Sequence, residues 1–245
     1  MKVRLCTVII LAYLLTFNIE GGVVSAVETS VQIRLEKSFF HPGDPVQFTV
    51  TTSTGSRMDA HVLYLDKEIA AIDAVLIDGQ VKATWLPPPT FPRGYGLLVN
   101  ILDDSGQLIA TQSSAFDVLE HWTNAPRYGF LTDFSVGRNN DEETINWIVQ
   151  HHVNGIQFYD WQYRWENLVP DTDIFNDGLG RPQSMLVIRR LIDLLHSRNI
   201  SAMPYTAIYG ASMAYFRQHP DWGLLDAKGE PYLFGGDLIG IMNPA

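Results

Sequence analysis

A carboxylate flanked by two aromatic side chains, Tyr159-Asp160-Trp161, is the motif in this chain with the clearest chemical meaning. It directly follows residues 155–158, a short apolar segment that predicts a buried strand. Aromatic rings stack on the apolar faces of pyranose sugars, and a carboxylate accepts hydrogen bonds from sugar hydroxyls. The motif therefore indicates a saccharide site, although two core aromatics beside a loop-capping carboxylate would give the same pattern.

Other polar and aromatic side chains stand at comparable positions along the chain. Asp133 lies near the end of a strand candidate at residues 127–134, and Tyr205 ends another at residues 201–205. Because the carboxyl ends of parallel strands meet at one edge of a sheet, we expect these side chains to lie near Asp160. The predicted substrate-binding residues are Tyr159, Asp160, Trp161, Tyr205, Tyr209 and Asp133.

Two predicted helices separate these strand candidates. Asn140 and Glu143 occupy capping-box positions at the start of the first helix, and Ser184 is placed to cap the second, which Asn199 ends. The apolar face of the first helix would comprise Ile145, Ile148, Val149 and His152. Alternating strands and helices predict parallel βα units, with a long loop at residues 162–183 on the side that carries substrate contacts.

The region before these units has a different period. Residues 31–35 and 46–50 alternate strictly between apolar and polar, and Asp78-Gly79 is typical of a hairpin turn. Residues 97–102 form an apolar run that is compatible with burial on both faces. Six or seven short strands in about ninety residues predict an immunoglobulin-like β-sandwich.

The predicted fold class is therefore mixed. An N-terminal immunoglobulin-like β-sandwich over residues 27–119 precedes a barrel domain over residues 126–245. A complete (β/α)8 barrel takes roughly 250 residues, so this region has room for only the first part of one. We expect few contacts to cross the boundary between the two domains.

The composition excludes several partners. A formal net charge of −10 over 245 residues argues against nucleic acid and against anionic membrane surfaces, since both require basic patches. A neutral polysaccharide remains compatible with this charge.

The first residues have the organisation of a secretory signal peptide. Lys2 and Arg4 form a basic region, residues 5–17 are apolar, and residues 24–26 (Val-Ser-Ala) fit a cleavage pattern of small residues. The single cysteine, Cys6, lies inside this segment, so the mature chain would carry no disulfide. We predict a signal peptide over residues 1–26, secretion from a bacterial cell, and no membrane attachment after cleavage.

No metal site and no cofactor is predicted. His151 and His152 are adjacent on a helical pattern, so their side chains point about 100° apart. Asp171, Asp173 and Asp177 lack the spacing of an EF-hand loop and are interpreted as a polar loop, with a calcium-binding loop as the alternative.

Several separate motifs, in a fixed order, resemble glycoside hydrolase family 66, which contains dextranases and cycloisomaltooligosaccharide glucanotransferases. The motifs are Trp85 with its neighbouring prolines, Gly94-Tyr95, residues 116–118 with Trp122, and residues 126–131, 154–161, 180–184, 203–211 and 241–244. Two positions depart from the family pattern. Thr206 stands where Asn is expected and Asn243 where Asp is common, so the preferred glucan stays open.

The resemblance implies a retaining attack on α-1,6-linked glucan. In this mechanism an Asp forms the glycosyl-enzyme intermediate, and a Glu acts as general acid and then as base. In the family both residues lie on strands later than the third. The resemblance therefore implies that the catalytic pair lies beyond Ala245, and that residues 1–245 alone are inactive.

Two other functions fit parts of the pattern. The sandwich and the export signal also suit a non-catalytic glycan-binding or adhesion protein, and the barrel pattern suits a glycosidase of another specificity, such as an α-amylase-like enzyme. Within the family, a hydrolase and a cyclising transferase are not distinguished by these residues.

Overall fold

The computed structural model describes residues 30–89, 92–235 and 239–242 of the chain. The predicted signal peptide, residues 1–26, and Asn243 lie outside this part. An all-β region comes first, and a region of mixed strands and helices follows. Within the described residues, no helix is long and apolar enough to cross a membrane.

Seven antiparallel strands build the first region. They are β1 (Val31–Leu35), β2 (Val46–Thr52), β3 (Arg57–Tyr64), β4 (Lys67–Val75), β5 (Gln80–Trp85), β6 (Arg93–Leu102) and β7 (Leu108–Val118). One sheet has the order β1-β2-β5 and the other β4-β3-β6-β7. The two sheets have the arrangement of a sandwich, as the alternating pattern predicted.

Alternate side chains of these strands form the core between the sheets. Val46, Phe48 and Val50 of β2 are buried, while the intervening polar residues face outward. In β6 the buried residues are Tyr95, Leu97, Val99 and Ile101, and their neighbours are only partly covered. The interpretation of residues 97–102 as buried on both faces was therefore wrong. This strand lies inside an antiparallel sheet with one covered face.

The second region contains the remaining elements. In chain order they are β8 (Tyr128–Leu131), α1 (Asp141–Gln150), β9 (Gly155–Phe158), β10 (Ile174–Asn176), β11 (Pro182–Ser184), α2 (Met185–Ser197), β12 (Ser201–Pro204), β13 (Gly210–Ser212), α3 (Met213–Gln218), β14 (Leu233–Phe234) and β15 (Ile239–Ile241). Strands β8, β9 and β12 form a parallel sheet in the order β12-β9-β8. Two βαβ units are thus present, and both intervening helices are where the sequence predicts them.

The helix ends agree only partly with the sequence prediction. Ser184 caps α2 by accepting a hydrogen bond from the Val187 amide, and Asn199 ends it with a φ of 55°. Asn140, however, makes no side-chain capping bond at α1. His152 does not lie on the apolar face of α1, because the helix ends at Gln150 and His152 has a φ of 57°. A left-handed residue at this position terminates the helix.

The two regions are joined by polar contacts. The Ser38 hydroxyl donates to the Val153 carbonyl at 2.6 Å, and the Asn199 amide donates to the Phe39 carbonyl at 2.9 Å. Arg127 forms a salt bridge with Asp117 at the end of β7. Polar contacts thus link the segment after β1 and the end of β7 to the βα units, and the domain bounds themselves stay a prediction.

Candidate functional site

The carboxyl ends of the three parallel strands lie side by side. Leu131 of β8 is in register with Phe158 of β9, which is in register with Pro204 of β12. The ladder continues one residue further, since the Tyr159 amide donates to the Leu131 carbonyl and the Tyr205 amide to the Phe158 carbonyl, both at 2.9 Å. Tyr159 and Tyr205 are therefore held by backbone hydrogen bonds at the sheet edge.

Four aromatic side chains, Phe130, Tyr159, Tyr205 and Tyr209, form a continuous group that we call the aromatic row. The rings of Tyr159 and Tyr205 are stacked with centroids 4.9 Å apart, and Phe130 meets Tyr159 edge to face at 6.3 Å. A side-chain hydrogen bond with Tyr209 raises the pKa of Tyr205 and links the two hydroxyls. The row presents exposed ring surface, since Phe130 is 57% and Tyr159 is 41% exposed.

Phe130 was not among the residues predicted from sequence. In β8 the side chain of Phe130 points to the opposite face of the sheet from Gly129 and Leu131. The strand pattern alone does not say which of these two faces the helices cover. The helices cover the face that carries Ile156 and Phe158, and Phe130 lies on the other. The sequence of this four-residue strand carries no signal that separates its two faces.

Trp161 does not belong to the exposed surface. The side chain is only 8% exposed, and its indole Nε1 donates to the Tyr205 carbonyl at 2.8 Å. The interpretation of Trp161 as a sugar-stacking ring is therefore corrected. Its ring is buried in the protein, and its indole N–H already has a hydrogen-bond acceptor there. Its role in this structure is to hold the backbone of Tyr205.

Asp160 lies next to the row and is held by Arg181. The Arg181 Nη2 group is 3.2 Å from the Asp160 carboxylate, and its Nε donates to the Asp177 carboxylate at 2.7 Å. Asp160 has a φ of 56°, a left-handed conformation that Asp tolerates better than most residues. Burial of Arg181 acts to lower its pKa, but the carboxylates of Asp177 and Asp160 outweigh this effect and raise the pKa. The guanidinium is therefore a permanent cation here.

Asp177 is the buried anchor of this network. Its side chain is 2% exposed and accepts hydrogen bonds from the amides of Leu179 and Arg181, at 2.9 and 2.8 Å. The Gln183 side-chain amide donates to the second carboxylate oxygen. All of these partners are N–H donors, so Asp177 organises the loop and is not arranged as a metal ligand. Among the described residues, no group of three or more His, Cys, Asp or Glu side chains is placed to hold a metal ion.

Asp133 follows β8, and its carboxylate forms hydrogen bonds within its own loop. Its carboxylate accepts from the Ser135 amide and hydroxyl at 3.0 and 2.7 Å, and from Arg138 at 3.0 Å. The hydrogen bond from the Ser135 hydroxyl, together with Arg138, lowers the pKa of Asp133. Arg138 also forms a salt bridge with Asp141, the first residue of α1. No described contact joins Asp133 to the aromatic row.

The long loop after β9 is fastened to the loop after β12. Trp165 packs so closely over Gly178 and Gly210 that a Cβ atom added to either glycine would lie 2.4 or 3.2 Å from the indole ring. Glu166 accepts hydrogen bonds from the amide and hydroxyl of Ser212, at 3.0 and 2.6 Å. Both loops are thus held together behind Tyr205 and Tyr209.

The comparisons with known proteins agree with this arrangement. The model of glycosyl hydrolase family 66 matches residues 35–238. Two curated cycloisomaltooligosaccharide glucanotransferases of Niallia circulans are similar to this chain, with 27% identity over 83% of the chain and 28% over 79%. The chain spans about a fifth of their length, 22% in each case.

A solved structure has the same fold. It is a Paenibacillus sp. cycloisomaltooligosaccharide glucanotransferase complexed with cycloisomaltoheptaose, with a TM-score of 0.77, 24% sequence identity, and coverage of 87% of this chain and 34% of that one. The chain belongs to glycosyl hydrolase family 66.

Proposed function

We propose that this chain is the N-terminal part of an exported glycoside hydrolase or transglycosylase that acts on α-1,6-glucan. Membership of family 66 supports the class of activity. The observation that carries the proposal is the aromatic row beside Asp160, because it combines exposed ring surface with a fixed hydrogen-bond acceptor. Pyranose rings have one apolar face and a rim of hydroxyls, which is the chemistry such a surface recognises.

The proposed role of the row is to bind sugar units. Tyr159 and Tyr205 would offer a wide surface to a glucose ring, while Asp160 and the Tyr209 hydroxyl would accept or donate hydrogen bonds at its edge. Trp161 would act indirectly, by fixing the Tyr205 backbone. Asp133 would contribute only through the shape of its loop, since its carboxylate is occupied by Ser135 and Arg138.

The carboxylates at these strand ends are poor candidates for the reaction itself. A general acid must hold a proton near neutral pH, whereas the pKa of Asp133 is lowered by its hydrogen bonds. The Asp160 carboxylate is occupied by a salt bridge with Arg181. A low pKa argues against Asp133 as the general acid only. From the resemblance to family 66 we propose that the nucleophilic Asp and the acid/base Glu of a retaining mechanism lie outside residues 1–245, and that these residues alone do not hydrolyse glucan.

We further propose that the βα units are the first part of a (β/α)8 barrel over residues 126–245, and that residues 27–119 form the immunoglobulin-like domain. Parallel strands joined by helices, with candidate ligand residues at their carboxyl ends, support this architecture. Export through cleavage of residues 1–26 rests on the sequence pattern of that segment.

Calorimetric titration of the chain with isomaltooligosaccharides and with maltooligosaccharides of equal length tests the proposed specificity. We expect measurable binding of the α-1,6-linked series and at least about tenfold weaker binding of the α-1,4-linked series. Preference for the α-1,4 series would replace the proposal by an amylase-like specificity. In the full-length enzyme, linear or cyclic products from dextran distinguish a hydrolase from a cyclising transferase.

A further inference from the structure

A polar groove lies where the sandwich meets the helices. Its volume is about 320 Å³, and its lining comes from the outer face of β1, β2 and β5, from α1, and from the residue that follows α2. Asn146 contributes from α1 and Arg198 from the end of α2. Because Arg198 precedes β12, the groove lies toward the amino ends of the parallel strands, away from the aromatic row.

The register of the three strands places two cationic residues on the floor of the groove. Arg34 of β1 is paired with Thr49 of β2, which is paired with Lys82 of β5. Neighbouring strands are about 4.8 Å apart, so the two cationic residues start about 10 Å from each other on either side of the threonine. Long side chains from these positions can converge on one ligand group above Thr49.

The net charge of the groove lining is opposite in sign to the net charge of the chain. Arg34, Lys82 and Arg198 line it together with a single carboxylate, Glu36, in a chain whose net charge is −10. Arg34 and Lys82 are exposed and form no salt bridge with another described residue. Arg198 is partly engaged, since it donates to the Glu36 carbonyl at 3.0 Å. Two cations are thus left available in a concave site.

We propose that this groove binds an oxyanion carried on a saccharide, either a phosphate or a carboxylate group. Guanidinium and ammonium groups form charge-assisted hydrogen bonds with such anions. The remaining lining is suited to sugar hydroxyls, because Gln47, Gln80 and Asn146 offer amides that both donate and accept. The site is separate from the aromatic row and would function as a second saccharide site at the junction of the two regions.

A double variant, Arg34→Gln with Lys82→Gln, tests the proposal in the full chain. The matched control is Arg57→Gln with Lys67→Gln, which removes the same charges from exposed positions of the other sheet. Titrations use glucose 6-phosphate, glucuronate, inorganic phosphate and glucose as probes. The Tm of each variant without ligand checks that the fold is kept.

We expect glucose 6-phosphate or glucuronate to bind more tightly than glucose, with affinity that falls as salt is raised. The groove variant should weaken this binding about tenfold, and the control should leave it unchanged. The tighter of the two ligands identifies the anion. Equal loss in both variants, equal affinity for inorganic phosphate and the sugar phosphate, or no binding of either charged sugar would overturn the proposal.

Discussion

The Tyr159 and Tyr205 rings are stacked with their centroids 4.9 Å apart and their planes at 28°, although 46 positions separate them in the chain. They meet because β9 and β12 are parallel neighbours and both residues directly follow their strands. The pair is therefore a consequence of the βαβ topology. It gives the surface at the strand ends its width and its orientation.

Removal of the Tyr159 ring should weaken glucan binding. Tyr159→Ala is expected to reduce the affinity for isomaltooligosaccharides roughly two- to tenfold, since contacts with an aromatic ring contribute about 0.5–1.5 kcal/mol. Tyr159→Phe keeps the ring and should keep most of the affinity. Calorimetric titration measures both.

The matched control for this prediction is Trp147→Ala. Trp147 is 59% exposed on α1 and belongs to the helical side of the sheet. Its replacement should leave binding unchanged. An equal effect of Trp147→Ala and Tyr159→Ala would show that loss of any exposed aromatic side chain perturbs binding.

Substitutions of Asp160 should separate binding from stability. Asn tolerates the left-handed backbone of this position, so Asp160→Asn is expected to keep the Tm while it weakens glucan binding through loss of the carboxylate. Asp160→Ala should lower both, because alanine in this conformation costs about 1 kcal/mol. Thermal denaturation and titration of the two variants provide the test. Full affinity in Asp160→Asn would remove the carboxylate from the site.

A methyl group at Gly178 should disturb the loop behind the row. The added Cβ of Gly178→Ala would lie 2.4 Å from the Trp165 ring, so the indole has to move. Overpacking of this kind typically costs about 1–3 kcal/mol. The free energy of unfolding should fall and the tryptophan emission should shift.

Gly129→Ala is the control for that substitution. Its added Cβ would meet nothing closer than the Ile156 side chain at 3.8 Å, which is an ordinary contact. The unfolding free energy should change far less than in Gly178→Ala. Equal stability of the Gly178→Ala protein and the unchanged protein would mean that Trp165 is not pinned against this glycine.

His152 should make the protein less stable in acid. Burial lowers its pKa below the ordinary value of 6.5, and the charge of Arg127 acts in the same direction against the opposing charge of Asp117. The unfolded chain therefore takes up a proton more readily than the folded one. The contribution to stability is fully present above about pH 6.5 and is lost as the pH falls through the folded-state pKa.

His152→Asn removes this titration and keeps a residue that tolerates a φ of 57°. Urea unfolding near pH 7.5 and near pH 5 should show a smaller loss of free energy in the variant than in the unchanged protein. His196→Gln, at an exposed position of α2, should leave the pH dependence as it was. The same acid loss in all three proteins would rule out His152 as its source.

Sequence periodicity predicted the elements that are set by local pattern. The strict alternation of β1 and β2, the cap at Ser184 and the end of α2 at Asn199 are all present. Each of these depends on a residue and its near neighbours. Strand β4 was not delimited from the sequence, because its apolar residues 69–72 are consecutive and show no strict alternation; six of its nine residues are exposed.

Features that depend on distant partners could not be predicted in the same way. Whether Trp161 faces solvent is decided by the Tyr205 carbonyl, 44 positions further on. Asp160 and Arg181 are 21 positions apart and meet only after the long loop folds back as β10 and β11. The local sequence pattern therefore located the candidate site. Tertiary packing decided which of its side chains are exposed and which, like Trp161, hold the others in place.

A crystal structure with bound isomaltotriose shows directly whether the aromatic row beside Asp160 binds α-1,6-linked glucose units. We expect density for a glucose ring against Tyr159 and Tyr205, with a sugar hydroxyl within about 3 Å of the Asp160 carboxylate. A saccharide bound elsewhere on the molecule, with these rings uncovered, would contradict this expectation.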